Sequence, residues 1–255
     1  MEVNRSAETG FLRMQQLSLD FDDTWADELI EWAINQQVPE YRYVEEEYDE
    51  DGVLLSSGYW VGLPRDKSVL VDLEELNLTG CLSTGIPEQI RFLKRLKILK
   101  LTDGLQASWG PEDFDKEPYC VSEMPWWLPN LKNLEVLDLS GNSIIFVSSW
   151  ISELHSLKEL NLSYNRIEFI SDSLSKLKKL EKLWIYSPTL TFLNPSLKNL
   201  KELKELWFYG LPGSSYGPIE LLNGALRWPT ENGEQAISCS TEKSLIELVF
   251  DTWFD

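Results

Sequence analysis

The chain has 255 residues and a mass of 29.5 kDa, enough for one sizeable core or two small domains. Hydrophobic residues make up 43% and charged residues 25%, with 14 Gly and 12 Pro, which excludes a disordered, collagenous or low-complexity chain. Its 42 acidic and 23 basic residues leave a formal charge of −19, a field that repels phosphate backbones and anionic lipid.

The charge is unevenly spread. Residues 1–51 carry 15 acids and 3 bases, residues 52–211 carry 20 and 18, and residues 212–255 carry 7 and 2. Two acidic ends flank a nearly neutral middle, so a basic protein partner is expected, with no nucleic acid and no membrane. No apolar run reaches the length of a membrane span. The opening MEVNRSAETGFLRMQQ lacks the apolar core of a secretory leader. The expected location is cytoplasmic. Three cysteines (Cys81, Cys120, Cys239), without a CxxC pair, give neither a disulfide framework nor a zinc site. The single histidine, His155, leaves little for acid–base or metal chemistry at neutral pH. No cofactor, no metal and no catalytic residue are therefore expected.

In chain order, Thr24 can cap a helix over about 24–36 whose Trp25, Leu29, Trp32 and Ala33 share one face. An acidic run follows, with Glu45, Glu46, Glu47 and Asp49; it reads as a solvated loop or as a lure for a basic partner. Val53 and Leu55 fall where a degenerate first strand of a repeat would lie. From Leu73 the pattern L-x-x-L-x-L recurs at Leu96, Leu134, Leu157, Leu180 and Leu203, in steps of 23, 38, 23, 23 and 23. The long step is one period plus a 15-residue insertion, near 106–122, which carries Trp109, Phe114 and Tyr119 among acids. Each L-x-x-L-x-L predicts a short strand with its leucines turned inward. Between strands an apolar-x-x-x-apolar-x-x-apolar pattern (Val147, Ile151, Leu154 in one unit) predicts a return leg. One such unit cannot bury its leucines alone, so the units must stack into one parallel sheet. Open ends need caps. At the C-terminus Ser244 and Glu247 fit a capping box ahead of an apolar helix face.

LEVLDLSGNSI (134–144) and LKELNLSYNRI (157–167) place Asn142 and Asn165 just after the strand. This period and motif resemble the leucine-rich repeat family, over roughly residues 53–211. The resemblance implies an α/β fold: a curved leucine-rich-repeat solenoid with a parallel concave sheet and helical N- and C-terminal caps. The implied division is an acidic N-terminal region (1–52), about six repeats (53–211) and a C-terminal cap (212–255). Cys81 takes the asparagine place in the first unit. Gly104, Pro188 and Leu211 depart from it, so the asparagine ladder should be interrupted there. TWADELIEWA with LPRDK also resembles small cytosolic bacterial members. Members that ligate ubiquitin carry their catalytic cysteine on a large helical domain, for which the 44 residues after the repeats, Cys239 included, are too few. No GxxxxGK[ST] loop matches the members with a GTPase domain.

The functional signal lies in the strand positions that face away from the leucines. One row reads Asn77, Lys100, Asp138, Asn161, Trp184, Trp207; the row two positions later ends in Tyr186 and Tyr209. Tyr164 stands beside them. Aromatic residues are not needed on a solvated sheet face, and exposed Trp and Tyr mark interfaces. The partner-binding residues expected are Trp184, Tyr186, Trp207, Tyr209, Tyr164, Asn161 and Asp138, with Trp109, Glu45, Glu46, Glu47 and Asp49 as secondary contacts. The reading is a monomeric protein-interaction module that holds a basic partner on its concave face. Its sharper form is an acidic inhibitor or immunity protein neutralising a cationic toxin. The reading of another class is an effector enzyme with its site in the C-terminal 44 residues. Self-association through the aromatic patch is the structural alternative.

Overall fold

The computed structural model describes residues 24–45, 47–48, 54–56, 58–81, 85–102, 123–190, 194–209, 219–222, 225–230 and 233–238. Helix α1 (Thr24–Asn35) buries Ala26, Leu29 and Ala33, with Trp25 and Trp32 half-buried together on one flank of that stripe. All four residues of the expected face turn toward the core, and Ala26 joins them. The fully buried positions include two alanines, whose small side chains let the helix approach the first repeat closely. Two contacts pin its outer side: Lys67 Nζ to Asp27 at 2.5 Å, and Gln89 Nε2 donating to Glu28 at 2.8 Å.

Four short strands and a single turn of helix link α1 to the repeats. They are β1 (Arg42–Val44), β2 (Glu47–Tyr48), β3 (Leu54–Ser56), β4 (Tyr59–Val61) and α2 (Lys67–Leu70). β1 pairs antiparallel with β4, and β2 with β3. Leu54–Ser56 is thus a strand, but it lies in its own two-stranded ladder and not at the edge of the repeat sheet. The chain reaches that edge through Gly62, whose amide donates to Asn77 O at 3.0 Å. Gly62 has φ +93°, and a Cβ there would lie 2.3 Å from Pro39 O, so only glycine fits. Arg65 of LPRDK clamps the same joint, donating to Val38 O at 2.6 Å and to Leu63 O at 3.2 Å.

The repeats then run β5 (Glu75–Asn77), β6 (Ile98–Lys100), β7 (Val136–Asp138), β8 (Glu159–Asn161), β9 (Lys182–Tyr186) and β10 (Glu205–Tyr209). All five pairings are parallel and in constant register, one leucine row over the next. The return legs hold short 3-10 segments such as Ser149–Glu153 and Asp172–Lys176. The long rise of a 3-10 segment crosses the back of the coil in few residues. Leu76, Leu99, Leu137, Leu160, Leu183 and Leu206 are fully buried. At about 1.5–3 kcal/mol per leucine, this column is the main cohesive term.

Beyond β10 the sheet continues as antiparallel β11 (Ile219–Leu222), β12 (Ala225–Thr230) and β13 (Gly233–Ser238). The resemblance implies only a cap here, and these three strands are an addition to it. The helix expected around Ser244 lies outside the described residues.

Charge follows the same period. Glu74, Lys97, Glu135, Lys158, Glu181 and Lys204 occupy one position of six successive units and alternate in sign. They pair along the stack at 2.8, 2.7 and 2.5 Å, and Lys182 meets Glu159 at 2.9 Å in the next row. The lysine hydrogen bonds hold the Glu135 and Glu181 carboxyls below the ordinary carboxylate range. Each exposed pair is worth little alone. Together they prevent like charges from stacking.

Candidate protein-binding face

Strand alternation sends every residue between two buried leucines outward. The register brings Asn77, Lys100, Asp138, Asn161, Trp184 and Trp207 side by side across six strands. The predicted row is therefore one physical row, and Tyr186 and Tyr209 are partners in the next.

The row has two halves. In the first, Asn77, Asp138 and Asn161 accept from the backbone N–H two residues on, at 3.1, 2.9 and 3.0 Å. These side chains close the strand ends, so Asp138 and Asn161 serve the fold as well as facing outward. In the second half the aromatics begin. The Tyr164 and Tyr186 rings stack at 4.8 Å. Trp184 is half-buried, with Lys182 Nζ 5.9 Å from its ring. Trp207 is 37% exposed and donates its indole N–H to Glu205 at 2.9 Å. Tyr209 is described by its backbone position alone.

Tyr164 carries a further mark. Its φ is +56°, and the residues at the same place in two other units are glycines, Gly80 at +70° and Gly141 at +67°. A tyrosine thus sits in a left-handed conformation that glycine supplies without cost. Such strain persists where a side chain is needed for something other than the turn.

Behind the sheet runs the asparagine ladder. Asn142 Nδ2 lies within 2.8–3.2 Å of the Leu101, Leu139 and Ser140 carbonyls, and Asn165 Nδ2 repeats this on Leu139, Leu162 and Ser163. Where Pro188 breaks the pattern, the ladder does not stop. Ser187, fully buried, reaches Asn165 O at 3.0 Å and Ile167 O at 2.8 Å. Cys81 is half-buried against Thr79 O at 3.4 Å, and burial pushes its thiol up. His155 is exposed. Glu45 is exposed just after β1, Glu47 lies in β2, and Glu46, Asp49, Trp109, Cys120 and Cys239 lie outside the described residues. Among the described residues no cluster of His, Cys, Asp and Glu could hold a metal ion. None of the described helices is long and apolar enough to cross a membrane.

Sequence reasoning missed a second aromatic group, at the other end of the face. Tyr41 and Trp60 stack at 4.7 Å, Tyr43 meets Trp60 edge-on at 5.4 Å, and Tyr59 stands beside them. The aromatic and β-branched residues of RYV and YWV are the signal that could have found this strand pair. Exposed aromatics also occur away from the sheet face, at Trp126 and at the Phe146–Phe169 pair.

A family model described as "Leucine rich repeat" matches residues 125–167, and one described as "Leucine Rich repeats (2 copies)" matches residues 155–196. No curated protein matches the chain. Among solved structures it is similar to a leucine-rich repeat protein of Leptospira interrogans, at 26% identity over 56% of this chain and 33% of that one, with a TM-score of 0.43. It is also similar to an internalin of Listeria monocytogenes, at 19% identity over 56% of this chain and 36% of that one, with a TM-score of 0.43. The match thus spans about a third of either protein's length. Leucine-rich repeats in general mediate protein–protein interaction. The 23-residue period, the parallel ladder it builds and the two family matches make this chain a leucine-rich repeat protein.

Proposed function

We propose that the chain is a binding module that grips a basic protein on its concave face, with Tyr164, Tyr186, Trp184 and Trp207 as anchors and Tyr209 beside them. The observation that carries this reading is Tyr164: a strained tyrosine at a glycine position, stacked on Tyr186. Nothing in the turn asks for a side chain there. Flat aromatic side chains give a large contact area for little lost rotamer freedom, which is why they dominate binding energy. The net charge of −19 favours a basic partner and speeds its approach. Inhibition of a cationic toxin is the most specific form of this reading.

Photo-crosslinking tests it. A benzophenone side chain replaces Trp184 in one protein and Trp126, exposed on the other side of the coil, in a second. Both are irradiated in native lysate at low salt. The expected result is one basic protein joined at 184 and absent at 126. The same protein joined at 126 and absent at 184 overturns the proposal.

A further inference from the structure

The second aromatic group stands at the N-terminal end of the concave face and borders an open cleft of about 550 Å³. Its wall is Tyr43, Tyr59 and Trp60; its floor includes Glu75, Asn77, Lys100 and Asp138. The wall is held open from behind. Tyr41 stacks on Trp60 and donates its hydroxyl to Glu75 O at 3.3 Å. Gly58 lies under Tyr43, where an added Cβ would meet the Tyr43 hydroxyl. The aromatic rings are therefore held over the sheet, and none of the described strands lies between them and the floor.

The floor holds polar groups with no protein partner among the described residues. Asn77 is only 3% exposed, and its Oδ1 is taken by Thr79, yet its amide nitrogen donates to nothing among the described residues. The Glu75 carboxylate and the Lys100 ammonium have no ion pair among the described residues. Lys97, Lys158, Lys182 and Lys204, at neighbouring positions, all have one. Ser140 binds one Asp138 carboxylate oxygen, and no donor among the described residues meets the other.

We infer that this cleft is a receptor for a cationic side chain, arginine above all, presented by an extended segment of a protein partner. The inference rests on the reading of the concave face as a protein-binding surface and adds a second anchor to it. The aliphatic stem would lie along Trp60 and Tyr59, and the guanidinium would meet ring faces and the Glu75 carboxylate. The main-chain carbonyl of the same residue would take the free Asn77 amide. Charge favours this occupant: two carboxylates face the cleft against one lysine, in a chain of −19. Lys100 opposes a cation and confines it to the Glu75 end.

That opposition gives the test its sign. The probe is N-acetyl-arginine methylamide, titrated into the full chain while the Trp60 indole N–H resonance, assigned with Trp60→Phe, is followed by NMR. A saturable shift is expected, absent with the neutral citrulline analogue. Glu75→Gln should weaken binding roughly two- to fivefold, and Lys100→Met should strengthen it by a similar factor. Both are partly exposed polar substitutions, and unchanged thermal unfolding confirms that each variant is folded. An unmoved Trp60, equal binding of citrulline, or a glutamate analogue that binds and is lost in Lys100→Met each overturns the inference, the last by showing an anion site. The probe requires no partner, so failure here leaves the crosslinking result at Trp184 standing, and the reverse also holds.

Discussion

Asn165→Ala is expected to destabilise the protein by about 3 kcal/mol. Asn165 is fully buried between two units. Its Oδ1 accepts the Ile144 N–H at 3.0 Å, and its Nδ2 serves carbonyls of both strands flanking the turn. Alanine removes all of these at once. The Ile144 amide is then a buried donor with no partner, at about 1–3 kcal/mol, and the carbonyls lose part of their satisfaction. Water cannot replace the side chain without opening the leucine column beside it. Because units in a solenoid are stable only against their neighbours, the loss spreads along the coil. Equilibrium denaturation reads it as a lower midpoint with an unchanged slope. Asn165→Cys should recover part of the loss, since Cys81 fills the equivalent place in the first unit. A loss below about 1 kcal/mol would mean that the ladder is dispensable.

The Trp184→Ala/Trp207→Ala variant should lose binding and keep its fold. Each tryptophan, as a central anchor, contributes about 2 kcal/mol or more, so the pair should weaken the partner identified by crosslinking about a thousandfold. Neither side chain lies in the leucine core, so the stability change should stay near 1 kcal/mol. A titration of that partner against both proteins measures the first effect, and thermal unfolding the second. Unchanged affinity would move the site to the N-terminal cleft or to another face.

The leucine column was legible because burial and spacing are the same fact here: a residue that must face inward recurs every 23 positions. The aromatic row was legible for the converse reason. Trp184 and Trp207 stand where burial demands nothing. The strands after β10 were not read, though the signal was present. Asn223-Gly224 separates β11 from β12, and such a dipeptide between apolar stretches is a strong hairpin mark. The repeat period ends at Leu203, and with it the pattern that made the other strands visible. The alternating Glu74 to Lys204 row was equally present in the sequence, but charge carries no periodicity unless a register has first been assumed. Ser187 stepping in for the missing asparagine needed coordinates, since it acts from one position earlier than the motif allows. The cleft under Trp60 also needed them. Its wall comes from β1 and β4 and its floor from β5 to β7, and no local pattern links the two.

Whether the aromatic row exists for binding decides the proposed function. Tyr164→Gly separates binding from folding most cleanly, measured as the melting temperature without and with the crosslinked partner. Glycine relieves a left-handed tyrosine, at about 1 kcal/mol or more, and forfeits a ring stack and some chain stiffness of similar size. The free protein should therefore melt close to wild type, within about 1 kcal/mol of its stability, while the stabilisation given by the partner shrinks. A variant that melts far lower alone, by the 3 kcal/mol or so typical of a lost core aromatic, yet is stabilised by the partner as fully as wild type, would show that Tyr164 serves the fold and contradict the account.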